Sequence, residues 1–147
     1  MFALDDNKRF ALEAVKSYGD GDVIFTEGED GRDMYVVKSG EVIVSKASSR
    51  GDVVLATLRK GDFFGEMSLL ESLPRSATAR ARGVTEVLCI QPGGFLLKIR
   101  RDPTFAFEML QALSHRVRIT SEKLLHEING GSINADSVQK ILDNVGP

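Results

Sequence analysis

The distribution of glycine constrains the fold of this chain more than any other feature of its sequence. Eleven of the 14 glycines lie between Gly19 and Gly94, where they interrupt short runs of valine, isoleucine, phenylalanine and tyrosine. Frequent turns between short runs of this kind are typical of many short antiparallel strands. The predicted strands are 23–25, 34–37, 41–44, 53–58, 77–82 and 86–90. Their spacing predicts an antiparallel sandwich or barrel, with hairpin turns at 38–40 and 48–52.

Helical signals replace turn signals after Pro92, and they predict one long helix. Asp102 offers a side-chain acceptor for an N-cap, Pro103 suits the first helical position, and Asn129-Gly130-Gly131 is a stop. Two sets of apolar residues recur at helical spacing between these signals. The main stripe comprises Ala106, Leu110, Leu113, Val117, Leu124 and Ile128, and the weaker one Phe105, Met109, Ala112 and Ile119. A helix with two apolar sides needs two partners to bury them. The candidates are the sheet of the same chain and a second copy of the helix.

Two shorter helices are predicted near the ends of the sequence. The first would contain Leu4, Phe10, Leu12 and Val15. The second, from Ser132 to Leu142, would carry Ile133, Val138, Ile141 and Leu142 on its apolar side.

Composition and charge exclude several classes of protein. With 147 residues the chain can bury a core without disulfides, and its one cysteine, Cys89, is expected to be a small core residue. Its 19 basic and 21 acidic residues give a net charge of −2, which argues against direct DNA binding. No apolar run reaches the roughly 18 residues of a membrane span, and the N-terminus lacks a signal-peptide layout. We therefore expect a cytoplasmic protein without membrane contact.

No pattern of residues indicates catalysis or a bound metal. His115 and His126 lie off the i, i+4 spacing of a metal pair, and the predicted strands contain no histidine, unlike those of a metal-binding cupin barrel. We interpret both histidines as surface or interface residues. No serine or cysteine is placed with a histidine base for nucleophilic catalysis. We expect a protein that is not an enzyme and holds neither cofactor nor metal.

The most informative segment is FFGEMSLLESLPRSAT, residues 63–78. The Glu66 carboxylate can accept hydrogen bonds from a hydroxyl, and the planar fork of Arg75 matches two oxygens of a phosphate. Ser76 and Ala77 are small, so their backbone N–H groups can complete an anion site. A ligand that satisfies these groups carries one phosphate and one sugar hydroxyl at a fixed separation, which describes a cyclic nucleotide. The alternative is that Glu66 and Arg75 form a structural ion pair or are two solvated charges.

This segment resembles the phosphate-binding cassette of the cyclic nucleotide-binding domain family, and residues 22–44, DVIFTEGEDGRDMYVVKSGEVIV, are similar to its first hairpins. The resemblance implies a mainly β fold with flanking helices: a jelly-roll-like β-roll, or double-stranded β-helix, followed by a long C-terminal helix. It places the domain at 1–128, with the β-roll at about 18–92 and helices at about 103–128, and leaves 129–147 as a short tail. It puts Glu66 on the ribose 2′-hydroxyl and Arg75 on the cyclic phosphate. The ligand-binding residues implied in the cassette are Phe64, Gly65, Glu66, Met67, Ser68, Arg75, Ser76 and Ala77.

A second resemblance concerns RITSEKLL, residues 118–125, which is similar to the dimer helix of the family's bacterial catabolite activators. It implies that Thr120 contacts adenine in its own subunit, that Ser121 reaches in from the partner, and that the helix from Asp102 to Ile128 forms a homodimer. Alternatively, both hydroxyls lie on an exposed face or bond back to the preceding turn. Only residues 129–147 follow this helix, too few for a DNA-binding helix-turn-helix domain.

The expected function is therefore that of a regulatory sensor. The chain would bind cAMP and couple occupancy of its pocket to helix position or dimer contacts, with an unknown protein downstream. The ligand could also be cGMP, because a small hydroxyl residue beside the arginine, here Ser76, favours guanine in some relatives. The alternative is the same fold used as a protein-interaction or dimerisation module that binds no nucleotide.

Overall fold

The structure, a computed structural model, describes residues 13–130 together with Asp136, Gln139 and Asp143. The chain forms two compact units that divide between Arg100 and Arg101, and each is described by itself. The first unit contains strands β1 (Glu13–Tyr18), β2 (Val23–Phe25), β3 (Met34–Ser48), β4 (Gly51–Leu58), β5 (Phe63–Phe64) and β6 (Thr78–Ile90). Helix α1 (Glu66–Glu71) lies between β5 and β6, and helix α2 (Pro92–Arg101) follows β6.

Two long strands organise the first unit. Strands β3 and β6 pair antiparallel from Met34 opposite Ile90 to Ser45 opposite Thr78. Each long strand also pairs with two shorter ones, β5 and β4 on β3, and β1 and β2 on β6, and every one of these pairings is antiparallel. The predicted class, a mainly β fold with flanking helices, is confirmed.

One predicted hairpin turn is wrong. Residues 38–40 lie inside β3, where the register against β6 shifts on both sides of Ser39. Gly40 has a φ of 78°, and a Cβ there would lie 2.4 Å from the Val84 carbonyl oxygen. Bulges and turns both use residues with positive φ, so a glycine alone does not distinguish them. Here Gly40 is required by an irregularity within β3 and not by a turn. The other predicted turn is confirmed, because Ser48 pairs with Gly51.

The core of the first unit lies between the long strands and β2, β4 and β5. Its buried members are Phe25, Tyr35, Val37, Val42, Leu58, Phe64, Ala79, Val87 and Cys89. Cys89 is a buried free thiol, as expected for a small core residue. Phe64 is the last residue before Gly65, so the core fixes the point at which the cassette begins.

Two helix predictions need correction. The sequence does not indicate helix α2, because Gly93 and Gly94 in its first turn disfavour helix by about 1 kcal/mol each. The predicted N-terminal helix is wrong at Val15, which lies in β1 opposite Leu88. Its other members, Leu4, Phe10 and Leu12, lie outside the described residues.

The second unit contains helix α3 (Pro103–Asn129), whose limits match the predicted signals. The Asp102 carboxylate accepts a hydrogen bond from the Phe105 N–H at 3.2 Å, and the Gly130 N–H donates to the His126 carbonyl at 2.9 Å. His115 and His126 are exposed. None of the described helices is both long and apolar enough to cross a membrane.

The predicted tail helix is described at three positions. Asp136, Gln139 and Asp143 are helical, and the Gln139 amide donates to the Asp143 carboxylate at 2.9 Å. The proposed apolar side lies outside the described residues; its members are Ile133, Val138, Ile141 and Leu142.

Candidate functional site

The cassette begins where β5 turns into α1. Strand β5 pairs with β3, and Gly65 follows it as the N-cap of α1 with a φ of 78°. This left-handed turn is open to glycine at little cost and makes Glu66 the first helical residue. Glu66 is buried, with 8% of its surface exposed. Helix α1 ends at Glu71, and the N–H of its C-cap residue, Ser72, donates to the Ser68 carbonyl at 3.0 Å.

The backbone of Arg75 is held by the loop between β2 and β3. The Arg75 N–H donates to the Glu29 carbonyl at 2.9 Å, and the Arg75 carbonyl accepts from the Gly28 N–H at 2.8 Å. In the same region the Arg32 guanidinium donates to the Ser72 hydroxyl. The loop therefore fixes both the end of α1 and the arginine that follows it.

The Arg75 side chain is buried, and no carboxylate among the described residues pairs with it. Only 5% of the residue is exposed, its Nη1 donates to the Gly65 carbonyl at 3.1 Å, and its Cζ lies 4.3 Å from the centre of the Phe25 ring. Arg59 and Arg82 both pair with Glu41, and neither of these pairs among the described residues involves Arg75. The predicted alternative of a Glu66–Arg75 ion pair is therefore not observed among them.

The remaining donors of Arg75 point to where an anion could bind. A guanidinium has five N–H donors, and the Gly65 carbonyl takes one of them. No fully buried side-chain nitrogen or oxygen of the described residues lacks a hydrogen-bond partner, which implies that Nε and Nη2 retain some contact with solvent. A Cβ at Gly31 would lie 3.0 Å from Nη2 and 3.2 Å from Nε, so the absence of a side chain keeps that edge open.

The structure brings some of the predicted cassette residues together. Gly65 contacts Arg75, and the Ser76 hydroxyl lies 3.7 Å from the sulfur of Met67, both in exposed residues. The remaining cassette residues, Phe64, Ser68 and Ala77, are buried, with exposed fractions of 4%, 2% and 6%. Phe64 belongs to the core cluster, where its ring packs against those of Phe25 and Tyr35.

The two residues predicted to meet the base lie in the second unit. Thr120 and Ser121 are exposed on α3, and the Ser121 hydroxyl donates to the Val117 carbonyl at 2.9 Å. That bond is the back-bond to the preceding turn that the sequence left open as an alternative. Their role toward adenine stays a prediction.

Sequence reasoning missed two residues beside Arg75. The sequence identifies Phe25 only as part of a predicted strand, and Gly31 only as part of residues 22–44, which resemble the family's first hairpins. Their contacts with Arg75 are tertiary, and nothing in the spacing of 63–78 points to them. Among the described residues no group of three or more histidine, cysteine, aspartate and glutamate residues could hold a metal ion.

Comparison with known proteins decides the family. The family model described as the cyclic nucleotide-binding domain matches residues 15–102. The chain belongs to the cyclic nucleotide-binding domain family. The resemblance inferred from residues 63–78 is thereby confirmed, and so is the β-roll that it implied.

Individual members of the cyclic nucleotide-binding domain family show how much is shared. A cAMP-dependent protein kinase regulatory subunit of Yarrowia lipolytica is 45% identical over 75 residues, which are 51% of this chain and 20% of that protein. A cyclic AMP receptor protein of Thermus thermophilus is 39% identical over 102 residues, 69% of this chain and 47% of that one. The crystal structure of Thermus thermophilus catabolite activator protein matches at a TM-score of 0.70 with 34% identity, covering 82% of this chain and 57% of that one. The chain thus spans from one fifth to about half of the length of these two relatives. The first of these relatives is named as a regulatory subunit and the second as a cyclic AMP receptor protein.

Proposed function

We propose that this chain binds a cyclic nucleotide, cAMP in preference to cGMP, as a regulatory sensor module. The observation that carries the proposal is Arg75, a buried guanidinium that has no carboxylate partner among the described residues and whose Nε and Nη2 atoms retain some contact with solvent. Burying a cation is costly unless a partner compensates. A phosphate is suited to be that partner, because charge-assisted hydrogen bonds from a guanidinium to two oxygens are strong and directional.

The other cassette residues have distinct roles in this proposal. The Glu66 carboxylate would accept the ribose 2′-hydroxyl, while Gly65, Ser76 and Ala77 would line the phosphate. The preference for cAMP rests on the relatives, which are named as a cAMP-dependent kinase subunit and a cyclic AMP receptor. The output would be a change in the position of α3 or in contacts between two copies of the chain, passed to a protein partner.

Thermal unfolding with and without cAMP and cGMP tests the binding. A ligand at 100 times its dissociation constant stabilises a protein by about 2.7 kcal/mol, which corresponds to a midpoint rise of roughly 5–11 °C for a chain of this size. We expect a larger rise with cAMP than with cGMP at equal concentration. Arg75→Ala should abolish the rise and retain a cooperative transition. A wild-type midpoint unchanged by either nucleotide would contradict the proposal.

We also propose that the chain forms a homodimer through α3. The supporting observation is that large apolar residues on this helix are exposed: 64% of Leu110 and 66% of Val117. A charge placed among the apolar residues that form this dimer contact should prevent association, so Val117→Glu should yield a monomer by light scattering. Gln111→Glu adds the same charge at an exposed position of α3 outside the predicted stripe and should leave the dimer intact.

The same exposed surface favours a second candidate function, a dimerisation module that binds no nucleotide. The two candidate functions predict different results for thermal unfolding with nucleotides and the same result for light scattering. A dimer whose midpoint is insensitive to both nucleotides would support the second candidate, whereas a nucleotide-dependent midpoint would exclude it.

A further inference from the structure

Phe25 provides an aromatic surface beneath the Arg75 guanidinium. The Cζ of Arg75 lies 4.3 Å from the Phe25 ring centre and 5.8 Å from that of Tyr35. Both distances fall within the roughly 6 Å over which a cation is attracted to the face of a ring. Phe25 lies in β2 and Arg75 follows α1, so the contact joins two separate parts of the first unit.

The Phe25 ring is itself fixed in place. The residue is 8% exposed, and its ring centre lies 5.8 Å from those of both Tyr35 and Phe64. Tyr35 and Phe64 are stacked with their ring centres 5.1 Å apart. The three rings come from β2, β3 and β5, and offset or tilted packing of this kind is favourable. A cation resting on this cluster therefore rests on a rigid support.

A ring and a carboxylate stabilise a buried guanidinium in different ways. A carboxylate lies in the guanidinium plane, occupies N–H donors and cancels the charge. A ring attracts the cation through its face and supplies no carboxylate oxygen that would cancel the charge. Within the described residues Arg75 has the ring and one carbonyl and no acid, so its charge and most of its in-plane donors remain available.

We infer that Phe25 is a positioning residue for phosphate recognition. It orients the Arg75 guanidinium from below, while the Gly65 carbonyl fixes rotation within the plane through Nη1. The fork is thus oriented before a ligand arrives, and binding need not supply the cost of ordering a long side chain. This inference rests on the proposed function, because it assigns Phe25 to the same cyclic nucleotide site.

The test compares cAMP affinity among Phe25 variants by calorimetry. Loss of a cation–π contact in a desolvated site should weaken binding about 5- to 30-fold in Phe25→Leu, which keeps an apolar side chain. Phe25→Tyr retains the ring face and should restore affinity. Val87→Ala removes buried apolar volume from the same core cluster but no aromatic ring, and it should bind cAMP as the wild type does.

A double-mutant cycle separates positioning from general damage. In the Arg75→Gln background both the cation and the planar fork are gone, so Phe25→Leu should cause little further loss of affinity. An equal fold loss in both backgrounds would overturn the inference, because Phe25 would then act independently of Arg75. Equal affinity of wild type and Phe25→Leu would also overturn it and leave the proposed function intact.

A spectroscopic signal tests the contact in the absence of any nucleotide. Protons above an aromatic face are shifted upfield, so the Arg75 Nε–H resonance should move downfield in Phe25→Leu and stay upfield in Phe25→Tyr. Arg75→Lys identifies the resonance by removing it. An Arg75 signal unaffected by Phe25→Leu would overturn the inference. If wild-type protein bound neither cAMP nor cGMP, the proposed function would fail and the recognition role of Phe25 with it.

Discussion

The Nη1 atom of Arg75 donates a hydrogen bond of 3.1 Å to the carbonyl oxygen of Gly65, ten residues earlier in the chain. This bond joins the two ends of the cassette, since Gly65 lies near the start of residues 63–78 and Arg75 lies near their end. It requires the left-handed conformation of Gly65, which determines the direction of that carbonyl. The two ends of the proposed phosphate site are therefore held together by the protein alone.

Gly65→Ala should disrupt this closure. A Cβ at Gly65 would lie 2.9 Å from Nη1 of Arg75 and 3.0 Å from the Asp33 carbonyl oxygen, at a φ of 78°. We expect a loss of about 1–3 kcal/mol in the free energy of unfolding and at least about tenfold weaker cAMP binding. Denaturant titration and calorimetry measure the two effects.

Gly61→Ala is the matched control for backbone strain. Gly61 has a φ of 92°, and a Cβ there would meet nothing within 4 Å. Gly61→Ala should lower the free energy of unfolding by about 1–2 kcal/mol, because alanine is strained in the left-handed conformation, and should retain full cAMP affinity. Equal affinities for the two variants would show that the contact between Gly65 and Arg75 does not matter for binding.

Gly31→Ala should weaken binding with little effect on folding. Gly31 does not have the left-handed φ of Gly65, so alanine causes no comparable strain, but its Cβ would lie 3.0 Å from Nη2 and 3.2 Å from Nε. Phosphate oxygens bonded to these nitrogens would need the same space, at about 2.7–2.9 Å. We expect roughly tenfold lower cAMP affinity, with stability within about 0.5 kcal/mol of wild type.

The control for that variant is Gly19→Ala in the turn after β1. A Cβ at Gly19 would make only an ordinary contact of 3.4 Å with the Asp22 carboxylate. Its affinity should equal that of the wild type. If Gly31→Ala also bound cAMP normally, the open edge of Arg75 would not be the phosphate site.

The cassette residues that the sequence identifies lie close together in the chain, whereas the site residues that it misses contact Arg75 from far away in the sequence. Gly65, Glu66 and Arg75 lie within one short segment, and their chemistry alone suggests a phosphate and a hydroxyl. Phe25 and Gly31 reach Arg75 only through the pairing of β2 and β3 with distant strands, which local spacing does not encode. Gly40 shows the same limit, because a positive φ suits a hairpin turn and a bulge equally well.

Gly40→Ala should be more damaging than most glycine substitutions in this chain. In addition to a φ of 78°, a Cβ would lie 2.4 Å from the Val84 carbonyl and 2.5 Å from the Thr85 hydroxyl. Strain and overpacking together should cost about 3 kcal/mol or more. Gly83→Ala, at a φ of 71° with open space around it, should cost only the strain of about 1–2 kcal/mol. Chemical unfolding of both proteins tests the difference, and equal losses would contradict the role assigned to the β3 irregularity.

The stability of the first unit should fall at alkaline pH because of Cys89. Burial raises the pKa of this thiol, and the Asp33 carboxylate, 3.4 Å from its sulfur, raises the pKa further. An unfolded cysteine ionises near pH 8.5, so above that pH the folded protein binds more protons than the unfolded chain. Below about pH 8.5 the Cys89 thiol should therefore not change the free energy of unfolding. Above that pH the free energy of unfolding should decrease as pH rises towards the raised pKa of the thiol.

The variant Cys89→Ala isolates this effect. Burial also raises the pKa of Tyr35, but a tyrosine ionises near pH 10 when unfolded, so its contribution begins at higher pH. Between about pH 8.5 and 9.5 the wild type should lose stability with a steeper slope than Cys89→Ala, and above about pH 10 both should lose it. Urea titrations across this range measure the slopes. Identical slopes below pH 10 would mean that the Cys89 thiol ionises equally readily in the folded and unfolded chains.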